Sequence, residues 1–416
     1  MTGTRDRAAA RRRGRRGVAL LLAITSIAVV TALTVDLAYN TRVSVQLAAN
    51  ARDELKAAWL AKSAVNMARL VLHFQQTIDV AMGTASAAVA GASPGASLAG
   101  MSLSVRLWDL VPVNSQSLAF VGGGAASADD AAFPAFGGFD GSFEAKVDDE
   151  DRKINVRQLD GTRPYQGVQA ARLMELIRDP RWDFLFDRDD ANGMRVSRTD
   201  LLAALKDWID IDETNSVYTG AAFQPFDNGY GDENALYDRL DDRYKAKNAP
   251  FDSQDELYMV SGVGDAFMAA FGDRISVYPD VSATINVNTD DRRELLLNAV
   301  AMGGGVLQPV FLDPTFLDRL QAALRLARPF PFLAISAIQF AQVLQGLGVQ
   351  IAPDMLAAAN TGVSNPFGDR STTFHIRATG TVGPARRTID AVVIFDTRRS
   401  LGLQLDLGRL IHWHEE

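Results

Sequence analysis

The chain has 416 residues, enough for two or three folded units at about 100–200 residues per domain. Its 42 basic and 50 acidic residues give a formal net charge of −8, and because seven arginines fall in the first 16 residues, the remainder is distinctly acidic. An acidic body argues against binding to a polyanion such as nucleic acid. Cysteine is absent, which excludes a disulfide framework and thiol-based metal sites.

An apolar run follows the arginines. Residues 18–35 carry no charge, and at about 1.5 Å per residue they nearly cross a hydrocarbon core of about 30 Å. The basic block should stay in the cytoplasm, which predicts a single-pass topology with the body on the far side. Apolar residues then recur at threes and fours to about Gln76, without Pro or Gly between Val18 and Val80, which predicts one helix of about 55 residues.

This segment has three interpretations: a cleaved secretory signal, an ordinary membrane anchor and a type IV pilin-like leader. A secretory signal needs a short apolar stretch followed by a small-x-small cleavage site, and the predicted helix is too long for one. An ordinary signal anchor remains an alternative on this segment alone.

The sequence from Arg15 to Leu22, RRGVALLL, resembles the leader junction of type IV pilin-like proteins. The resemblance implies cleavage between Gly17 and Val18 by a prepilin peptidase, and methylation of the new N-terminus. Most such subunits have Glu at the fifth mature position, where this chain has Leu22. A carboxylate at bilayer depth needs a partner, which in pilin assembly is thought to be the amine of the neighbour nearer the tip. Leu22 therefore marks a tip position.

The family member that similarly lacks this Glu is protein K of the type II (general) secretion pathway, a minor pseudopilin longer than its relatives. Further segments resemble protein K in the expected order, namely Ile154-Asn155-Val156, Asp207 to Asp212, Lys247 to Phe251, Ile285-Asn286-Val287 and the tail Leu410 to Glu415. An Asn after a short strand can cap the following helix, which predicts such a cap for the helix beginning near Asp290.

The resemblance implies an α+β fold with a pilin-like long N-terminal helix, an antiparallel sheet and a large all-helical domain inserted between strands. Alternating residues also predict strands directly at 142–147, 373–378 and 388–394, with a turn at Gly383-Pro384, and a strand-like piece at 103–108. The implied organisation is a cytoplasmic leader (1–17), a transmembrane and assembly helix (18–76), a pseudopilin α/β domain (77–157 and 370–416) and an inserted SAM-like, helix-hairpin-helix-like domain (158–369).

Acidic residues crowd together at the end of a predicted amphipathic helix, in the stretch from Asp207 to Asn215, and again at 232–234 after a Gly-rich interval. Side-chain oxygens without His or Cys suit a hard cation such as Ca²⁺; a solvated helix end with ordinary surface acids is the alternative. Members of the protein K family carry a D-W-x-D-x-D stretch followed by a G-x-E-x-x-Y segment, and they bind calcium in the helical insert. The resemblance implies calcium ligands among Asp210, Asp212, Asn215 and Glu233.

The resemblance predicts a minor pseudopilin that forms the tip complex priming pseudopilus growth from the bacterial inner membrane, and not an enzyme. Its implied partners are the minor pseudopilins I, J and H, the major pseudopilin and the prepilin peptidase, with no nucleic acid. The first alternative is a membrane-tethered DNA receptor built on the helix-hairpin-helix turn at 262–264, where Asp265 would repel phosphate. The second is a hydrolase, for which the G-x-S-x-G match at 91–95 lacks a preceding strand.

Overall fold

The computed structural model describes residues 3–92, 106–115, 140–189, 193, 195–240, 242–328, 330, 333–361, 364–395 and 407–416, with the backbone alone at 3–17, 82–92 and 359–361. Its helices are α1 (Gly3–Ala92), α2 (Leu107–Leu110), α3 (Arg163–Ile177), α4 (Arg198–Asp207), α5 (Asp265–Phe271), α6 (Arg292–Met302), α7 (Phe316–Ala327), α8 (Ala337–Gly346) and α9 (Pro353–Thr361). Its strands are β1 (Val113–Asn114), β2 (Ser142–Asp149), β3 (Ile154–Asn155), β4 (Thr214–Tyr218), β5 (Phe226–Asp232), β6 (Ile275–Ser276), β7 (Ile285–Asn286), β8 (Phe367–Gly368), β9 (Thr373–Val382), β10 (Ala385–Ile394) and β11 (Arg409–Glu415).

Helix α1 has two parts with different surroundings. From Val18 to Ala81 it is long and apolar enough to cross a membrane, and its most apolar 18-residue window is 0% buried within the chain. Further along, one face is buried, with exposed fractions of at most 4% at Ala57, Leu60, Ala61, Ala64, Val65, Ala68 and Leu72. These residues recur at threes and fours, which places them on one side of the helix. The same helix therefore combines an unburied apolar part with a core-forming part.

The buried face of α1 packs closely on a five-stranded sheet. Small alanines let the helix backbone approach β9 at Gly380, where an added Cβ would lie 2.1 Å from the Ala57 carbonyl oxygen and 2.7 Å from the Ala61 nitrogen. Only a residue without a side chain fits this approach. The sheet side of the core includes Phe143, Phe374, Ile376 and Ala391.

The sheet is antiparallel with strand order β1-β2-β9-β10-β11. Strands β9 and β10 form a hairpin in which Val382 pairs with Ala385, and Gly383 takes a φ of 54° in the connecting turn. Along β9, Phe374, Ile376 and Ala378 are fully buried while the alternate Arg377 is exposed, as expected for a sheet with one covered face.

A large, mostly helical unit is inserted between β2 and β9. It contains α3 to α9, the β4–β5 hairpin and two short parallel pairs, β3 with β6 and β7 with β8. Its apolar residues form two buried clusters, one around α3, α4 and α5 and the other around α6, α7 and α8. Neither cluster shares its buried residues with the core beneath the sheet.

Buried carboxylates tie together the two places where the chain leaves and rejoins the sheet. Asp149, at the end of β2, accepts hydrogen bonds from Asn286 Nδ2 (3.0 Å) and from Ser371 Oγ (2.6 Å). Asp151 Oδ2 accepts from the backbone nitrogens of Thr372 (2.6 Å) and Thr373 (3.2 Å). Because buried acids need such partners, these bonds hold the inserted unit on the sheet.

The structure confirms the predicted fold class and differs from local predictions at several points. Helix α1 extends past both ends of 18–76, and the inserted unit contains a β-hairpin as well as helices. Residues 107–110 form a short helix where a strand was predicted, and 103–105 lie outside the described residues. Asp291, directly before α6, caps that helix. Asn288 instead exchanges hydrogen bonds with the backbone of Ile335.

Candidate metal centre

The first acidic residues of the acidic stretch, Asp207 and Asp210, lie at the end of helix α4 and in the turn that follows it. Ser197 begins the helix with a capping box, its hydroxyl accepting from the Asp200 nitrogen while the Asp200 carboxylate accepts from the Ser197 nitrogen. The helix ends at Asp207, and a turn follows that carries Asp210. Because residues three apart lie on neighbouring positions of a helical turn, both carboxylates lie on the same side.

Three carboxylates meet at this point. Each of Asp207, Asp210 and Glu233 offers a carboxylate oxygen within 4.8 Å of the others, and the residues are 6%, 3% and 3% exposed. By hydrogen-bond geometry, neither oxygen of Glu233 nor Oδ1 of Asp210 has a partner among the described residues, although the Asn248 side chain lies near Glu233 and lowers its pKa. Buried carboxylate oxygens in such proximity are donors of the kind that a hard cation binds.

The β4–β5 hairpin brings Glu233 to the other two acids. Asp207 anchors its first strand, because both oxygens of its carboxylate accept from the Ser216 nitrogen, at 2.9 and 3.1 Å. The second strand ends at Asp232, directly before Glu233. Asn215 Oδ1 accepts from the Gly231 nitrogen at 2.7 Å, and a Cβ at Gly229 would lie 2.5 Å from the same oxygen. The Gly-rich interval therefore allows the hairpin to fold closely over Asn215.

The electrostatics of the three acids favour a bound positive charge. Burial is the main cause that raises the pKa of Glu233 to about 7 and of Asp210 to about 6, and it also raises the pKa of Asp207. The neighbouring acids raise these values further. Lys206 forms an ion pair with Asp210 and opposes the rise there. A cation between the carboxylates would keep them ionised and reverse these shifts.

The structure brings together two of the four predicted ligands. Asp210 and Glu233 belong to the group of three, whereas Asp212 is exposed and Asn215 uses its side-chain oxygen within the hairpin. Asp212 Oδ1 accepts from the Thr214 nitrogen at 2.8 Å. The third member of the group is Asp207, which the prediction did not include. Its spacing of three residues from Asp210 at a helix end is the sequence signal that indicates it.

Aromatic residues pack around Trp208, the residue that follows Asp207. The ring of Trp208 lies 5.6 Å from that of Tyr237 and is nearly parallel to that of Phe251 at 6.5 Å. Trp208 Nε1 donates to Glu256 Oε1 at 3.1 Å, and Glu256 also binds Lys247 Nζ at 2.8 Å. The predicted Asp207–Asp212 and Lys247–Phe251 segments are thus in contact.

The remaining predicted sites have these positions. Gly17 and Val18 lie within the continuous α1, and Leu22 is 62% exposed. The turn at 262–264 joins a 3-10 segment (Gln254–Met259) to α5, and Asp265 beside it is exposed. Of the G-x-S-x-G match, residues 93–95 lie outside the described residues. The processing site, tip marker and ligand set stay predictions.

A membrane-length helix packed on an antiparallel sheet, with a helical unit inserted between strands, defines a pilin-like α+β protein. No family model matches the sequence, and no curated protein matches it. Among solved structures, the chain is similar to a component in the crystal structure of the GspK-GspI-GspJ complex from the enterotoxigenic Escherichia coli type 2 secretion system. The two are 16% identical, the similarity covers 68% of this chain and 82% of the other, and the TM-score is 0.43.

Proposed function

We propose that this protein is a minor pseudopilin of a type II secretion system and belongs to the protein K family. The observation that carries the proposal is α1, one helix whose first part is apolar and unburied and whose second part forms the core beneath the sheet. A helix of this kind can anchor the subunit in the membrane and later pack with other subunits. The segments that resemble protein K support the same family.

In this proposal the seven N-terminal arginines stay in the cytoplasm and the sheet and inserted unit lie in the periplasm. Cleavage after Gly17 exposes Val18 as the mature N-terminus. The protein then acts by assembling with the minor pseudopilins I, J and H and with the major pseudopilin, and not by catalysis. Two features support a tip position: Leu22 replaces the usual Glu, and the bulky inserted unit leaves little room for another subunit above it.

We further propose that the centre formed by Asp207, Asp210 and Glu233 holds calcium. Of the two other predicted ligands, Asp212 is exposed and Asn215 uses its side-chain oxygen within the hairpin. Calcium takes about 6–8 oxygens in flexible surroundings. Its role here is structural, because it would join the end of α4 to the end of the β4–β5 hairpin. No catalytic group is assigned to the centre.

Processing is the first test. The full chain is expressed with and without a prepilin peptidase, and the membrane-extracted product is analysed by intact-protein mass spectrometry. We expect the loss of Met1 to Gly17 and a methyl group on Val18. Gly17→Asp should block the cleavage, and Gly14→Asp, in the same basic block, is the matched control that should be cleaved normally. Cleavage at another bond would contradict the leader assignment.

Assembly is the second test. The tagged full chain is co-expressed with minor pseudopilins I and J and purified in detergent, where we expect a complex of the three. Monomeric behaviour with all minor pseudopilins present would contradict the tip role.

A substitution at Leu22 tests the tip position more closely. Leu22→Glu places a carboxylate in the membrane, near the start of the apolar run, where the cost is below the about 2.5–3.5 kcal/mol of the bilayer centre. A tip subunit has no neighbour to offset that cost, so we expect less assembled complex. Leu22→Ile should leave the amount unchanged. An increase in assembled complex with Leu22→Glu would contradict the tip position.

A further inference from the structure

A pocket of about 460 Å³ lies in the inserted unit, on the side of the 262–264 turn. Its wall combines the 3-10 segment Pro180–Leu185, the 3-10 segment Gln254–Met259 and the start of α5. We call it the aromatic pocket, because rings form much of its wall; they belong to Phe184, Tyr237, Tyr244, Tyr258 and Phe267. Its volume falls in the range of about 300–1,000 Å³ that is usual for ligand sites.

Two of these rings stand at the surface while others are buried below them. Phe184 is 46% exposed and Tyr258 is 45% exposed, whereas Tyr237 and Phe267 are 2% and 3% exposed. A single exposed apolar residue needs no explanation, but exposed rings above a concave apolar wall are typical of a binding site. The arrangement suits a flat apolar group that packs against the exposed rings.

The two glycines of the 262–264 turn differ in the space around them. Gly262 has a φ of 88°, and a Cβ there would lie 2.8 Å from Val196 Cγ1, so this position requires glycine. Gly264 differs, since its φ of −128° is ordinary and a Cβ would meet no atom within 4 Å. The space beside Gly264 is therefore open to a ligand.

The charges at the pocket favour a basic group. Asp189 and Asp265 are exposed carboxylates that line it, and Arg188 is the guanidinium beside them. None of the three forms an ion pair within the described part of the chain. Two carboxylates and one guanidinium leave a net negative charge, and complementary charge steers and orients a partner.

We propose that the aromatic pocket binds a segment of another protein that presents an aromatic side chain next to Lys or Arg. The aromatic ring enters the pocket and packs against its exposed rings, Phe184 and Tyr258, and the basic group faces Asp189 and Asp265. This inference goes beyond the proposed function, because it depends neither on the leader nor on the membrane helix nor on assembly with pseudopilins.

The test uses the full chain in detergent micelles and the peptide acetyl-Gly-Trp-Lys-Gly-amide, with binding followed by saturation-transfer NMR and empty micelles as background. Peptides with Ala for Trp, or Glu for Lys, serve as comparisons. We expect the Trp-Lys peptide to bind with a dissociation constant on the order of 1 mM or below. The Glu peptide should bind at least about tenfold more weakly, which corresponds to about 1.4 kcal/mol. The Ala peptide should show no detectable binding.

A pocket-filling substitution completes the test. Gly264→Phe should fill the pocket and abolish binding, while the circular dichroism spectrum stays unchanged. Gly346→Phe is the matched control, because a Cβ at Gly346 also meets no atom within 4 Å and the residue lies on α8, away from the pocket. Equal binding of the Trp and Ala peptides, equal binding to both variants, or no binding to the unaltered chain would overturn the proposal. Self-association that Gly264→Phe removes would assign the pocket to a second copy and would also overturn it.

Discussion

Glu233→Gln gives the sharpest test of the candidate metal centre. The substitution keeps the size of the side chain and removes the charge that burial and three neighbouring acids, Asp207, Asp210 and Asp212, make costly. Glu213→Gln is the matched control, since Glu213 lies in the same acidic loop and is exposed. The two variants remove the same charge from the same region, and they differ in whether that charge is buried.

The sign and size of the effect follow from the pKa of Glu233, which rises from 4.5 to about 7 on folding. Between these values the folded chain holds a proton that the unfolded chain has released. The contribution to stability is therefore complete below about pH 4.5 and is lost as the pH rises through about 7. A shift of this size corresponds to about 3 kcal/mol at most, and solvent screening reduces it to on the order of 1–2 kcal/mol. Without a cation, the unaltered chain should lose that much more stability between about pH 5 and pH 8 than Glu233→Gln does.

Calcium should stabilise the unaltered chain more than it stabilises Glu233→Gln. At about 100 times its dissociation constant, a ligand that binds only the folded chain stabilises it by about 2.7 kcal/mol. We expect such a gain for the unaltered chain and for Glu213→Gln, and a much smaller one for Glu233→Gln.

The assay is denaturant unfolding of the full chain in micelles, followed by circular dichroism, with chelator or with calcium at each pH. If the unaltered chain and Glu233→Gln showed the same pH dependence in chelator, the pKa argument would fail. If calcium stabilised both chains equally, Glu233 would not be a ligand.

Three further substitutions test a close packing contact, a buried hydrogen bond and a helix cap, each by denaturant unfolding of the full chain. Gly380→Val should destabilise the protein by at least about 1–3 kcal/mol, because its Cβ would strike the backbone of α1, whereas Gly346→Val, at an open position, should have little effect. Asn286→Leu removes a hydrogen bond from the buried Asp149 carboxylate and should cost about 1–3 kcal/mol; a neutral result would mean that this bond does not help to hold the inserted unit on the sheet. Ser197→Ala removes the capping box of α4 and should cost about 1 kcal/mol, and Ser197→Gly should cost only a few tenths.

Features that depend on neighbours in the sequence could be predicted from it. The spacing of apolar residues determines the long helix α1, because each face of a helix is set by residues three and four apart. Alternation likewise determines β2, β9 and β10, because successive strand residues point to opposite sides. The concentration of acids near Asp210 indicated the chemistry of the candidate centre. All of these are local patterns.

Features that depend on distant contacts were decided by the tertiary structure. Asp207 and Glu233 become neighbours because the β4–β5 hairpin folds back on α4, and Asn215 is used within that hairpin because Gly229 and Gly231 fold around it. The aromatic pocket also joins segments that lie far apart in the chain. The sequence thus determined the helix that can enter the membrane, and for the acidic loop it indicated a hard cation, which stays a prediction. Only the folded chain decided which carboxylates face each other, because that depends on long-range packing that no local spacing specifies.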